Sequence, residues 1–310
     1  MNSTRSSARP SVAAFPWYYR PLEWLLLVIA SLPLSVLYGV AYGLYLLLAY
    51  VVRYRHRVVV QNLRNSFPEK SAAEIAHLAQ QFYLHFSQVI VETLKLATLS
   101  GEELKQRVTF RNPEVLERHF AQGRTVLGLS SHAGNWEWVL TSGAVWLSAH
   151  VDGVYKPLSN AFFENYMYRL RTRTGAGLIP MRDTLRDMIK RKGETRVISL
   201  LSDQAAGPED RPYWTSFMNQ EAGFYTSAER LATRFNCPVV YVSIHRVRRG
   251  HYEVVLSDLY DGSTPIAPDT YPITESFVQH LEQTIRENPV AYLWTHRRWK
   301  HKRPVASVLS

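Results

Sequence analysis

His132-Ala-Gly-Asn-Trp-Glu137 places an imidazole and a carboxylate five positions apart. The apolar run Thr125-Val-Leu-Gly-Leu-Ser-Ser131 before it predicts a buried strand, and the Trp-rich run Trp136 to Trp146 after it predicts a helix. The pair therefore falls on a strand-to-helix turn. Gly134 lets the chain turn sharply, Asn135 is a good N-cap type, and Glu137 lies in the first helical turn, where the dipole favours a carboxylate. Such a turn can hold an imidazole at the rim of a sheet with Glu137 behind it to fix its tautomer. That is the arrangement of a general base for a hydroxyl. A His-x4-Glu spacing also arises by chance. Its position outside the carboxyl end of a strand, where open α/β sheets keep their chemistry, singles this one out.

Other residues stand at comparable places. Ser202-Asp203-Gln204 directly follows a second predicted strand, so Asp203 could face the same cleft; a carboxylate there also commonly caps a turn. Lys156 follows a third strand in the same way. Arg169, Arg171, Arg173 and Arg182 belong to the helical segment and turn beyond it. A spacing of two does not align side chains on a helix, so only one or two of these can bind a phosphate. His296-Arg-Arg-Trp-Lys-His-Lys-Arg303 is a dense basic run with an aromatic inside it, open to three readings: nucleic acid, phospholipid headgroups or an acidic carrier protein. The chain has no Gly-rich phosphate loop, no His-Glu-x-x-His and no Gly-x-Ser-x-Gly elbow. Its single cysteine, Cys237, excludes a disulfide within the chain and a cysteine zinc site.

The elements that must position these residues follow from periodicity. Strands are predicted at 126–131, 151–155, 196–201, 238–244 and 252–257, with helices at 136–147, 160–173, 183–192 and 226–235 between them. This alternation predicts an α/β fold with a mostly parallel, mixed central sheet flanked by helices; the last two strands form an antiparallel hairpin. Ser71-Ala-Ala-Glu74 is a capping box opening a long helix through Leu96, and a final helix covers 271–287. Ala291-Tyr-Leu-Trp-Thr295 reads as strand-like.

The 310 residues carry a net charge of +10, with 36 Lys and Arg against 26 Asp and Glu, which favours anionic partners. Trp24 to Val52 is nearly free of charge and long enough to cross a bilayer, and Trp17, Tyr18, Tyr19 and Trp24 resemble an interfacial aromatic belt. Arg53, Arg55, Arg57 and Arg64 after it outnumber Arg5, Arg9 and Arg20 before it, which places the following domain in the cytoplasm. Pro33 predicts a kink, or a dip into the membrane and return. Gly39 and Gly43 form a Gly-x-x-x-Gly pattern that could pack on another helix. Residues 53–66 continue as a basic amphipathic stretch suited to a membrane surface.

His132-Ala-Gly-Asn-Trp-Glu137, Gly153-Val-Tyr-Lys-Pro157, Ser202-Asp203-Gln204 with Gly207-Pro208, and Tyr292-Leu-Trp-Thr-His-Arg-Arg-Trp-Lys300 together resemble the lipid A biosynthesis lauroyl/myristoyl acyltransferases. Arg57 through Asn62-Leu63, Phe67-Pro68-Glu69 and Val91-Glu92 fit the same pattern, so the resemblance runs from about residue 20 to 303. It implies a bacterial inner-membrane enzyme with its catalytic domain facing the cytoplasm. It divides the chain into a tail (1–23), an anchor (24–52), an acyltransferase domain (53–303) and a second tail (304–310). The enzyme would move a fatty acyl chain from acyl carrier protein to a hydroxyl of a lipid A precursor. His132 and Glu137 map onto the family's catalytic pair. Asp203 maps onto an aspartate usually preceded by proline, here Ser202, and Lys156 replaces the usual arginine, trading a bidentate fork for a point charge. Asp203, Lys156, Arg171 and Arg182 are the expected substrate-binding residues, with Arg171 and Arg182 holding sugar phosphates. Neither metal nor organic cofactor is implied, and nucleic acid is not an expected partner. Two other readings remain: the same chemistry on a glycerophospholipid or aminolipid acceptor, and a membrane-tethered, non-enzymatic protein that binds anionic ligands through the basic run.

Overall fold

The computed structural model describes residues 16–304; Arg5, Arg9 and the tail beyond residue 304 lie outside the described residues. In chain order the helices are α1 (Arg20–Ser31), α2 (Leu34–Leu46), α3 (His56–Ser66), α4 (Ala72–Lys95), α5 (Gly101–Arg107), α6 (Glu114–Ala121), α7 (Trp136–Trp146), α8 (Ala161–Thr172), α9 (Thr184–Lys190), α10 (Ser227–Phe235) and α11 (Pro272–Glu287). The strands are β1 (Val108–Phe110), β2 (Thr125–Ser130), β3 (His150–Tyr155), β4 (Gly177–Pro180), β5 (Arg196–Leu201), β6 (Tyr213–Phe217), β7 (Gln220–Phe224), β8 (Val239–Arg248) and β9 (His251–Tyr260). Seven of them form one sheet in the order β1-β9-β8-β2-β5-β3-β4, and β6-β7 is a separate hairpin. Every pairing in the main sheet is parallel except β8 with β9, so the expected mixed, mostly parallel sheet is what forms.

β2 is the middle strand and is buried from Val126 to Ser130. Its unbroken apolar run is what a strand covered on both faces requires. Leu127 and Leu129 pack with α3, α4, α10 and α11 on one face, while Val126 packs with α5, α6, α7 and α8 on the other, the period of two expected of a strand. The long helix α4 opens with the predicted box: Ser71 accepts from the Glu74 amide, and Glu74 accepts from the Ser71 amide.

Several elements differ from the sequence expectation. β1, β4, α5, α6 and the β6-β7 hairpin form where short or weakly periodic apolar runs predict no element. The run 291–295 is not a sheet strand. Pro289–Ala291 forms a 3-10 turn, and one bridge, Ala133 to Tyr292, ties the following extended segment to the turn that holds His132. Trp294 is fully buried and donates to the Pro289 carbonyl at 2.6 Å, which holds this segment against the body rather than in the sheet.

The apolar amino-terminal segment is two helices, not one. Pro33, which has no N–H to donate, separates α1 from α2, and a π-helical stretch, Leu47–Val51, extends α2. Both helices pack on α4. Leu37 and Ala41 of α2 meet Val91 of α4, whereas Gly39 and Gly43 face away, with no atom within 4 Å of where a Cβ would sit. The Gly-x-x-x-Gly pattern therefore faces no other element among the described residues.

Candidate active site

Parallel register explains the central pair. β2 and β5 are neighbours, with Ser130 opposite Leu201, so His132 and Asp203 both lie two residues past the ends of adjacent strands. The Ser202 amide donates to the Ser130 carbonyl at 3.0 Å, extending the ladder to this point. The two side chains meet: His132 Nδ1–H donates to Asp203 Oδ1 at 2.8 Å. The expected hydrogen bond between His132 and Glu137 is not made. Glu137 instead accepts a bidentate fork from Arg171 of α8, at 2.7 Å from Nε and 2.6 Å from Nη2. Trp136 Nε1 adds a third donor at 3.2 Å. Asp203, expected among the substrate contacts, is thus the partner of the imidazole, and Arg171 is engaged by Glu137.

The turn between β2 and α7 is fixed from several sides. Gly134 has φ +68°, and a Cβ there would come within 2.7 Å of the Ile244 side chain, so both backbone conformation and space call for glycine. Asn135 caps α7 through its Oδ1, which accepts from the Trp138 amide at 3.0 Å. The Leu293 amide donates to the His132 carbonyl at 3.0 Å, and Gly134 donates to Ala291 at 3.1 Å. Beneath the turn lies Glu92, fully buried in α4. Its carboxylate accepts from Asn135 Nδ2 at 2.8 Å, Tyr252 Oη at 2.6 Å and Tyr38 Oη at 2.8 Å. Three donors on one buried carboxylate satisfy a charge that would otherwise be costly to hold there. In the sequence Glu92 belongs to the Val91-Glu92 pattern, and its further signal is that of a lone acidic residue inside an apolar helical run.

The electrostatics favour a charged pair. Burial pushes the His132 imidazole down, but the Asp203 charge and hydrogen bond, with Glu137 nearby, outweigh it and leave the ring above its ordinary value. Burial raises Asp203, and His132 together with two backbone amides more than reverses this, leaving it below the usual carboxylate range. With Nδ1–H committed to Asp203, the neutral ring presents its lone pair at Nε2, which has no hydrogen-bond partner among the described residues. The His132 side chain is 15% exposed, so Nε2 can be reached. The ring stands edge-on to Trp136, with centroids 5.0 Å apart. An imidazole held this way can accept a proton from a hydroxyl brought to it.

The sequence profile of the bacterial lipid A biosynthesis acyltransferases matches residues 12–301. The chain belongs to that family. It is 24% identical over 284 residues to the lipid A biosynthesis lauroyltransferase of Escherichia coli (strain K12), covering 90% of this chain and 91% of that one. It is 21% identical over 266 residues to the lipid A biosynthesis myristoyltransferase of the same organism, covering 81% and 76%.

In this acyltransferase neither Lys156 nor Arg182 makes a hydrogen bond or ion pair to His132 or Asp203. Lys156 is exposed after β3 and makes no hydrogen bond or ion pair among the described residues. Arg182 is exposed on a 3-10 turn, with Asp183 at 3.6 Å. The basic run 296–303 is not wholly a surface feature. Burial pushes His296 down to about 4, so it is neutral near pH 7. Arg298 is 1% exposed, its guanidinium 4.0 Å from the Phe224 ring centroid, with no hydrogen-bond partner for any of its three nitrogens among the described residues. Its charge acts on Asp203 and Tyr292. A tract of basic letters gave no sign that one of them points inward.

Proposed function

We propose that this acyltransferase moves a fatty acyl group from the thioester of acyl carrier protein to a hydroxyl of a lipid A precursor, at the cytoplasmic face of the bacterial inner membrane. The observation that carries the reaction type is the His132–Asp203 hydrogen bond, which fixes the tautomer and leaves Nε2 as base. Nε2 takes the hydroxyl proton as the oxygen attacks the thioester carbonyl. A C–O bond forms, the C–S bond breaks, and the imidazolium returns the proton to the departing sulfur. Asp203 stabilises the imidazolium through its charge. The proton and the acyl group are all that move, so no covalent acyl-enzyme enters the cycle. Glu137 contributes in a second way, holding Arg171 and adding a negative charge near the ring.

Lys156 and Arg182, exposed and lightly engaged, are the residues available to the acceptor's phosphates. Arg171 has its fork on Glu137 and serves less well there. Two homologues named for lipid A transfer support the acceptor class over a glycerophospholipid or aminolipid. The test is mass spectrometry of lipid A from a strain lacking the gene, complemented with wild type or His132→Ala. Loss of one acyl chain, restored by wild type alone, supports the reading. Unchanged lipid A, with a different lipid class losing its acyl group, would reassign the acceptor.

A further inference from the structure

α1 and α2 are apolar enough to belong in a membrane, yet they are fastened to the catalytic body along their whole length. Leu34–Val51 has the length and composition of a span, and little of it is buried in protein. At about 1.5 Å per residue it is roughly as long as a bilayer's hydrocarbon layer is thick. Near its start, Tyr38 donates to the buried Glu92 carboxylate at 2.8 Å, and Arg249 stands over the Tyr38 ring at 5.4 Å. Past its end, Tyr83 Oη donates to the Tyr54 carbonyl at 2.6 Å and Arg55 donates to the Thr295 carbonyl at 3.0 Å. Along the same helix Leu37, Ala41 and Ala49 are buried against the body. The close of α1 is sealed likewise: Lys95 Nζ donates to the carbonyls of Ala30 at 2.9 Å and Leu32 at 3.0 Å.

If α2 stood upright through a bilayer with these contacts intact, the β8-β9 hairpin with Arg248 and Arg249 would be carried through hydrocarbon. If it detached to span alone, Glu92 would lose a donor inside the protein. Both are costly. Lying flat avoids both. The outward faces of α1 and α2 are apolar (Trp24, Val28, Val40, Leu47 and Val51 are exposed), and Trp17, 78% exposed, stands at their entrance. Beside them an open cavity of about 490 Å³ is lined by Ser35, Tyr38, Arg248 and Arg249. Neither arginine has a carboxylate partner among the described residues. Among them Arg248 meets only the His251 ring and Arg249 the Tyr38 ring, so an apolar plate edged by guanidinium groups without a neutralising carboxylate complements a layer of anionic headgroups above acyl chains.

We propose that α1 and α2 lie in one leaflet as a monotopic anchor, with the Arg248–Arg249 cavity seated on the phosphate of an anionic phospholipid. The proposal does not depend on the acyl-transfer reading. Its first test is topological: Arg20→Cys and Glu69→Cys, each in a Cys237→Ala chain, are probed with a membrane-impermeant maleimide in right-side-out and inverted vesicles. Both positions labelled only from the cytoplasmic side is the expected result; labelling from opposite sides overturns the flat anchor. The second is co-flotation of the full chain with phosphatidylcholine vesicles, with and without phosphatidylglycerol. Arg248→Glu with Arg249→Glu should lower binding to the anionic vesicles about 10-fold or more, with binding to neutral vesicles kept. An unchanged anionic preference, or its abolition in wild type by millimolar inorganic phosphate, overturns the headgroup site. Retained acyl transfer in detergent micelles shows that the double variant is folded.

Discussion

At the amino ends of β3 and β5, Asp152 sits among Arg196, Arg191 and His150; at the carboxyl ends of β2 and β5, the side-chain hydrogen bond that Asp203 takes comes from one ring, that of His132. Arg196 and Arg191 both reach Asp152 Oδ2 at 2.8 Å, and Arg196 also lies 2.6 Å from Asp187. Burial raises the Asp152 carboxyl, and these cations hold it below its ordinary range regardless. Both clusters are buried and strongly charged. They differ in what is left over. The amino-end cluster pairs cation against anion, and its leftover donor, Arg196 Nε, is sealed from solvent. Among the described residues the carboxyl-end cluster leaves Nε2 of His132 open and Arg298 without a hydrogen-bond partner. A shifted carboxyl thus marks burial and charge at either end, while an uncommitted atom that solvent can reach marks the end to which we assign the chemistry.

Substitutions can break this contrast. His132→Ala should lower turnover about 10²–10⁴-fold, measured as acyl transfer from acyl carrier protein, with little change in the melting temperature. Near-wild-type turnover would remove the distinction between the two ends. Asp152→Ala should do the reverse. It leaves the buried Arg196 with Asp187 as its one remaining carboxylate and should cost up to about 3–5 kcal/mol in chemical denaturation, with turnover per folded molecule unchanged.

Asp203→Asn sharpens the contrast, because it tests charge while keeping shape. A loss of about 10²-fold or more is expected, with a moved pH profile. In the wild type the acid limb reports protonation of His132, whose value lies above the ordinary one. Without the Asp203 charge, burial is left pushing the ring down, so the acid limb should shift to lower pH even as the maximum rate falls. The pair's contribution to stability has a matching window. It is complete above the carboxylate range and below the ordinary imidazole value. It fades as pH rises through the raised value of His132 or falls through the lowered value of Asp203. Glu137→Gln should move the acid limb the same way by a smaller step, since Glu137 acts on the ring only through its field. A larger shift than that of Asp203→Asn would exchange the two carboxylates' roles.

How far the letters of the chain reveal this arrangement varies by element. β5 falls on Arg196–Leu201, as its apolar run requires, and α4 begins at its capping box. The His132 turn was legible because its glycine, cap residue and flanking runs all agree. The choice of partner was not, because Asp203 lies 71 residues further on and nothing in a single sequence states that β2 and β5 are neighbours. Glu137, five positions away, was the nearer candidate in sequence but belongs to Arg171 in space. Strands of three or four residues, such as β1 and β4, carry too few alternations to stand out.

The pairing of Ser130 with Leu201 has a genetic corollary. Successive residues of an extended chain point to opposite sides. A one-codon insertion between the last ladder residue of β5 and Asp203 would turn that carboxylate to the far face, silencing the enzyme while leaving its hydrophobic interior whole. The two exits from the sheet are therefore constrained as a matched pair of spacings.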